Sequence, residues 1–303
     1  MKVATIDIGT NSIRLLLGEI CDNVLRVMDS RVASTRLGQG ILGGMISEPA
    51  IQRSIIALED YAKLISLFAP HQVWAVATSA VRDAVNGREF LQLVFEKTGI
   101  SIELISGEQE AKLGYLGVTA GLVADAGTYV LDIGGGSTEM ITAVKAQVYA
   151  KSLQVGAVRM TEGAHSLVDI GQLIQMGYAD LPIAPQRLIG VGGTVTTLAA
   201  VAQQLVEYRP SLIHGYVLTK DQVNQIYARL NALSLEERRK VPGLQPQRAD
   251  IILAGVAILR LVMEQFAIES LTVSEADLLV GLIRYHGFEV GDLDFSPFEQ
   301  EIR

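Results

Sequence analysis

Asp132-Ile133-Gly134-Gly135-Gly136-Ser137-Thr138 follows the apolar run Thr128-Tyr129-Val130-Leu131, so a strand ends at an acidic side chain and turns through three glycines. The chain opens in the same way, with Ala4-Thr5-Ile6 leading into Asp7-Ile8-Gly9-Thr10-Asn11-Ser12. The two Asp-Ile-Gly segments lie 125 residues apart, and their matching contexts mark a repeated unit, one copy per domain. A third glycine turn, Gly190-Val191-Gly192-Gly193-Thr194, again follows an apolar segment and opens a helix pattern. Such turns expose successive backbone N–H groups as an anion-binding concavity, and glycine lets a phosphate approach without a Cβ in the way. Ser12, Ser137, Thr138 and Thr194 add hydroxyl donors. An aspartate at each strand end suits Mg²⁺, a hard cation that prefers oxygen ligands. One Asp-Ile-Gly turn alone is more often a tight strand exit. The pairing and the third loop give these turns their meaning. Neither the P-loop pattern nor Gly-x-Gly-x-x-Gly is present, so the phosphate site belongs to another class.

Around these loops strands and helices alternate, which predicts an α/β fold. Lys2 to Ile6 reads as a strand ending at Asp7, and Ile13 to Ile20 as the next. Ser47-Glu48-Pro49 opens a helix with a capping side chain and a first-turn proline. Ile51, Ile55, Leu58, Ala62 and Ile65 then recur at helical spacing. Val73 to Ala77 is a short strand, Asn86 to Thr98 a helix stopped by Gly99, Ile102 to Ile105 a strand, and Glu108 to about Leu122 a helix. The small-residue stretch Ala124-Asp125-Ala126-Gly127 sets the expected domains at 1–123 and 124–303, the last helix packing back on the first.

Composition bounds the partners. In 303 residues, 49% are apolar and 19% charged, ample for buried cores and against disorder. Lys and Arg number 25 against 33 Asp and Glu, and a net charge of -8 argues against a nucleic-acid partner. The single cysteine, Cys21, excludes an internal disulfide framework, and no His or Cys lies at zinc-ligand spacing. The N-terminus has no basic n-region and no long apolar stretch, so a secretory signal is not expected. Leu188 to Val206 is uncharged and of membrane-span length, but its glycines and threonines suit a strand-turn-helix better. These readings describe a soluble cytoplasmic protein with no membrane partner.

The paired Asp-Ile-Gly loops with a later Gly-Gly-Thr loop resemble the actin-like ATPase and sugar-kinase (ASKHA) superfamily. Within it the chain resembles the exopolyphosphatase / guanosine pentaphosphate phosphohydrolase (Ppx/GppA) family. The opening Asp7 to Leu16 carries the likeness, with Arg36-Leu37-Gly38-Gln39-Gly40 and Ala77 to Ala84. Ile105 to Ala111, Asp132 to Glu139 and Gly156 to Glu162 extend it, and His214-Gly215, Pro242-Gly243 and Arg248-Ala249-Asp250 complete it. The likeness runs in order through essentially the whole chain. It implies two actin-like (ribonuclease H-like) domains, each a mixed sheet flanked by helices, with the active site in the interdomain cleft. The activity implied is Mg²⁺-dependent hydrolysis of the terminal phosphoanhydride of inorganic polyphosphate, of guanosine pentaphosphate, or of both. A homodimer is compatible with it.

The resemblance also implies roles. Glu110 takes the family's catalytic-base position, just before the alanine, although alone it would read as a solvated helix-face residue beside Glu108. Asp132 and Glu139 match the carboxylates that place metal and water, and Asp7 is their equivalent at the first loop. Gly134, Gly135, Gly136 and Ser137 would give donors to phosphate, as would Gly9, Thr10, Asn11 and Ser12, with Gly192, Gly193 and Thr194 in the third loop. Arg14 and Arg82 are the expected guanidinium clamps. The chain departs from the family where Lys112 replaces an arginine and Gln109 splits the acidic pair. Ser274 to Gly281 lacks the Arg-Glu found in many relatives, and longer relatives carry an added helical C-terminal region that this sequence, ending at 303, does not show. A non-catalytic (p)ppGpp or polyphosphate sensor and a superfamily kinase are the competing readings.

Overall fold

The strand that opens the chain, β1 (Lys2–Ile8), is six-sevenths buried, and everything in its neighbourhood is built on it. The computed structural model describes residues 1–40, 44–122, 124–125, 127–145 and 147–301. Two units emerge: Met1–Gly121 with Ala276–Arg303, and Leu122–Glu275. Val123 and Ala126, at the boundary expected from the sequence, lie outside the described residues. Among the described residues no helix is long and apolar enough to cross a membrane. The uncharged stretch at Leu188 is a strand followed by the helix Gly192–Ala202.

In the first unit β1 pairs antiparallel with β2 (Ile13–Cys21), which pairs antiparallel with β3 (Val24–Ala33). On its other side β1 runs parallel to β4 (Gln72–Ala77), and β4 to the two-residue β5 (Glu103–Leu104). In the second unit β6 (Thr128–Ile133), β7 (Thr138–Val144) and β8 (Gln147–Leu153) repeat the antiparallel trio. There β6 runs parallel to β9 (Arg187–Val191), beyond which β10 (Val217–Thr219) and β11 (Ser270–Val273) follow. The order β3-β2-β1-β4-β5 in one sheet is matched by β8-β7-β6-β9-β11 in the other, strand sense included. The repeat read from two loops is therefore a repeat of whole mixed sheets. β12 (Asp292–Asp294) adds an edge strand parallel to β3.

One face of the first sheet is covered by the helix Glu48–Phe68, which buries Ile51, Ile55, Leu58 and Tyr61. Ser47 holds the extended N-cap conformation, but its hydroxyl makes no cap hydrogen bond, so the proline and Glu48 start this helix without the expected side-chain cap. Gly99 ends the helix Gly87–Thr98 with φ 72°, the left-handed conformation that a C-cap glycine supplies. A separate apolar cluster of the same unit joins Val3, Leu16, Leu25 and Val27 to Ala276, Leu279, Val280 and Ile283. Leu279 and Val280 lie in Ser274 to Gly281, the segment noted above for lacking Arg-Glu. Both are at most 5% exposed, so this chain fills that place with core hydrocarbon.

The helices Gly107–Val118 and Leu278–Tyr285 cross closely through two glycines. A methyl on Gly117 would overlap the Asp277 carbonyl oxygen, and one on Gly281 the Leu113 carbonyl. Gly281→Ala must push the helices apart, and overpacking of this kind costs about 1–3 kcal/mol. Thermal denaturation should then show a Tm lower by roughly 2–10 °C; an unchanged Tm would contradict the close crossing.

Candidate active site

In the first unit the loop between β1 and β2 is a four-residue turn closed by Gly9 N–H donating to the Ser12 carbonyl at 3.0 Å. The Arg36-Leu37-Gly38 segment backs it, with Gly38 and Arg36 amides donating to the carbonyls of Thr10 and Asn11, each at 2.8 Å. Thr10 and Ser79 hydroxyls share a 2.8 Å hydrogen bond, tying the loop to the end of β4. Asn11 is 7% exposed, and neither Nδ2 nor Oδ1 has a hydrogen-bond partner. Buried amide groups without partners are costly, which makes this side chain suited to a polar ligand.

Register places Asp7 opposite Arg14 on adjacent strands, so their side chains share a face. Arg14 donates from Nε at 3.0 Å and from Nη2 at 2.6 Å to the same oxygen, Asp7 Oδ2. Its Nη1 donates to Asp277. Asp7 Oδ1 is buried with no hydrogen-bond partner. Burial pushes the Asp7 carboxyl above the usual carboxylate range, Arg14 opposes that shift, and the Asp277 charge adds to it.

Glu110 occupies the fourth helical position after Ser106, the N-cap of Gly107–Val118. A capping box fixes this helix start: Gln109 N–H donates to the Ser106 hydroxyl at 3.2 Å, and Ser106 N–H donates to the Gln109 side chain at 2.9 Å. Gln109, which interrupts the acidic pair in sequence, thus holds the helix end that carries Glu110. Arg82 Nη1 donates to Glu110 Oε2 at 3.1 Å and to the Ile105 carbonyl at 3.2 Å, so it orients this carboxylate. Lys112 is exposed, 5.9 Å from the Tyr285 ring centre.

The second unit repeats the turn. Gly134 N–H donates to the Ser137 carbonyl at 3.0 Å, the counterpart of Gly9 and Ser12. Asp132 faces Glu139 in register, as Asp7 faces Arg14. Each partner stands seven residues after its aspartate, but one loop has a guanidinium there and the other a second carboxylate. Glu139 is 3% exposed and accepts from the Ser152 hydroxyl at 2.6 Å.

The glycine turn itself is held from behind. Ala157 N–H donates to the Gly134 carbonyl at 3.0 Å, and Val158 and Arg159 N–H donate to the Gly135 carbonyl at 2.9 and 3.1 Å. Arg159 Nε takes the Gly136 carbonyl at 2.8 Å. In a planar trans peptide the N–H points opposite to the C=O. Capture of these three carbonyls therefore turns the amides of Gly135, Gly136 and Ser137 to the other side, as an anion nest requires.

The third loop meets the second at Asp132. Gly192 has φ +83°, and a Cβ there would lie 2.6 Å from Asp132 Oδ1. A Cβ on Gly193 would overlap the Arg248 guanidinium, so a cation lies against this turn. Thr194 is buried, its hydroxyl against Gly255 of the helix Ile252–Gln265.

Within the first unit, then, Asp7 is brought to Arg14, Thr10 to Ser79, and Glu110 to Arg82. Within the second, Asp132, Glu139 and Gly192 come together. Sequence reasoning missed the contacts of Asp277, Ser152 and Arg248. Asp277 had a signal, an Asp before the apolar run Leu278 to Ile283. The equal offsets of Arg14 and Glu139 were visible too; Ser152 had none.

Among the described residues no group of three or more His, Cys, Asp or Glu is placed to hold a metal ion. Two carboxylates facing across one register pair do fit Mg²⁺, which commonly takes one or two carboxylates and completes its octahedron with water and substrate phosphate. Asp7 fits this role through Oδ1 alone, because Arg14 holds Oδ2.

Residues 17–285 match the Ppx/GppA phosphatase family model. Exopolyphosphatase 2 of Mycobacterium tuberculosis is 33% identical, over 93% of this chain and 97% of that protein. The crystal structure of the Aquifex aeolicus member of the Ppx/GppA family superposes with a TM-score of 0.80 at 34% identity, covering 94% of this chain and 97% of that one. An exopolyphosphatase from Cytophaga hutchinsonii gives a TM-score of 0.87 at 26% identity, covering 96% and 100%.

Proposed function

Because the chain belongs to the Ppx/GppA phosphatase family, we propose that it hydrolyses the terminal phosphoanhydride of inorganic polyphosphate, of guanosine pentaphosphate, or of both, with Mg²⁺. Polyphosphate is the favoured substrate. The observation that carries this reading is the glycine turn of the second unit, with its carbonyls captured and three amides turned the other way beside two facing carboxylates. The exopolyphosphatase relatives support it by name.

Hydrolysis of a phosphoanhydride needs an oriented water, a proton acceptor and donors around the transferred phosphoryl group. Glu110 accepts the proton of the attacking water, and Arg82 fixes the direction of its carboxylate. The amides of Gly135, Gly136 and Ser137 bind phosphoryl oxygens, and Asn11 offers a further buried amide. Asp132 and Glu139 would hold Mg²⁺, which would supply charge neutralisation to the phosphates. The net charge of -8 repels a polyanion at long range, so capture depends on these local donors.

The test is phosphate release from long polyphosphate and from pppGpp, side by side with Mg²⁺. Release from polyphosphate at the higher kcat/KM is expected. Tight binding of either without release would instead make the protein a sensor, and ATP consumption dependent on an added acceptor would make it a kinase. Arg159→Gln frees the Gly136 carbonyl, and loss of a charge-assisted hydrogen bond is worth about 1.5–3 kcal/mol. A fall in kcat/KM of roughly tenfold or more is expected; parental kinetics would show that the turn keeps its amide direction without this side chain.

A further inference from the structure

Arg14 does not stand alone against Asp7. Its Nη1 is bonded to Asp277, a residue more than 260 positions away that returns to the first unit as the chain completes it. We propose that Asp277 is a positioning residue for Asp7, acting through Arg14. This rests on the reading that Asp7 serves the phosphohydrolase site.

Asp277 is itself fixed from both sides. Oδ1 accepts the Leu279 N–H at 2.9 Å, which caps the helix Leu278–Tyr285, while Oδ2 takes Arg14. Its carbonyl accepts the Gly281 N–H at 2.9 Å and packs against Gly117 of the helix that carries Glu110. A continuous set of contacts therefore runs from the Glu110 helix through Asp277 and Arg14 to Asp7, all within the first unit. An arginine opposite an aspartate on adjacent strands, with no second anchor, samples several rotamers and holds its partner weakly. With Nη1 anchored on Asp277, Nε and Nη2 are both directed at Asp7 Oδ2. Oδ1 is left as the buried acceptor with no partner. Arg14 thereby faces two carboxylates and is held between them.

The alternative is that Asp277 serves only as a helix cap. Asp277→Ser separates the two, because serine caps a helix nearly as well as aspartate but cannot pair with Arg14. The expected result is a Tm within about 3 °C of the parent. With polyphosphate, kcat should fall about tenfold, as for a small misplacement of a site group, while KM changes less than about twofold. The Arg14 Nε–H resonance, identified through Arg14→Lys, should lose its protection from exchange. In a double-mutant cycle, Arg14→Gln with Asp277→Ser should be no slower than Arg14→Gln alone. Asp277→Asn, which keeps cap and volume, carries the same test if the Ser variant does not fold. A parental kcat, a change confined to KM, or additive losses in the cycle would overturn the proposal. Should the parent release no phosphate from either substrate, the functional reading fails. The Arg14 resonance still decides the link: its collapse supports Asp277 as the anchor and its persistence removes it.

Discussion

Glu110→Gln should lower kcat on the order of 10²-fold or more, the loss expected when a positioned general base is removed. The substitution keeps the side-chain length and the fourth helical position. It does not touch the capping box, which belongs to Ser106 and Gln109, so the helix end stays in place. Arg82 retains the Ile105 carbonyl as a partner and can still donate to the amide oxygen. What disappears is the capacity to accept a proton. The neighbouring Glu108→Gln is the internal control, since Glu108 is exposed in the same helical turn and should leave kcat within about twofold. The measurement is phosphate release at saturating polyphosphate, with circular dichroism to show an unchanged fold. Activity of Glu110→Gln within a few-fold of the parent would remove Glu110 from the base role.

The contrast between Glu108 and Glu110 also shows what a sequence can and cannot carry. Strand exits at Asp7 and Asp132, the glycine turns and the stop at Gly99 are local signals, set by backbone conformation and apolar period, and they were legible. So was the repeat, because both copies keep Asp-Ile-Gly and a serine three residues after the glycine. What those turns face was not legible, since it depends on pairing across the sheet. Arg14 and Glu139 stand at identical offsets, yet only the register shows each opposite its aspartate. Gln109 looked like a defect in an acidic pair and proved to be half of a cap. Arg82 read as a phosphate clamp, and its contact with Glu110 was not visible in the sequence. Leu279 and Val280 read only as the absence of an Arg and a Glu and are core, because residues 276–303 belong to the first unit. That return is a contact of very long sequence separation, and no local pattern encodes it.

Chelation should have the other large effect: EDTA is expected to reduce phosphate release by more than about 10²-fold, and added Mg²⁺ to restore it. The argument is the difference between the two copies of the repeat. In the first, the residue facing the strand-end aspartate is a guanidinium that bonds Asp7 Oδ2 twice. In the second the same place is taken by Glu139, so two carboxylates share one face, an arrangement that a bound cation would stabilise. Ser152 donates to one oxygen of Glu139 and fixes its direction, the kind of supporting contact that tunes a metal ligand. Glu139→Gln should therefore raise the Mg²⁺ concentration giving half-maximal activity about tenfold, and Ser152→Ala should raise it less. Arg14→Gln, which removes the two bonds to Asp7 Oδ2, should lower kcat and shift this Mg²⁺ midpoint less than Glu139→Gln does. Titrating activity against free Mg²⁺ for the three variants separates these effects. Release that continues at full rate in EDTA would take Asp7, Asp132 and Glu139 out of metal binding together. A Glu139→Gln midpoint equal to that of the parent would remove Glu139 alone.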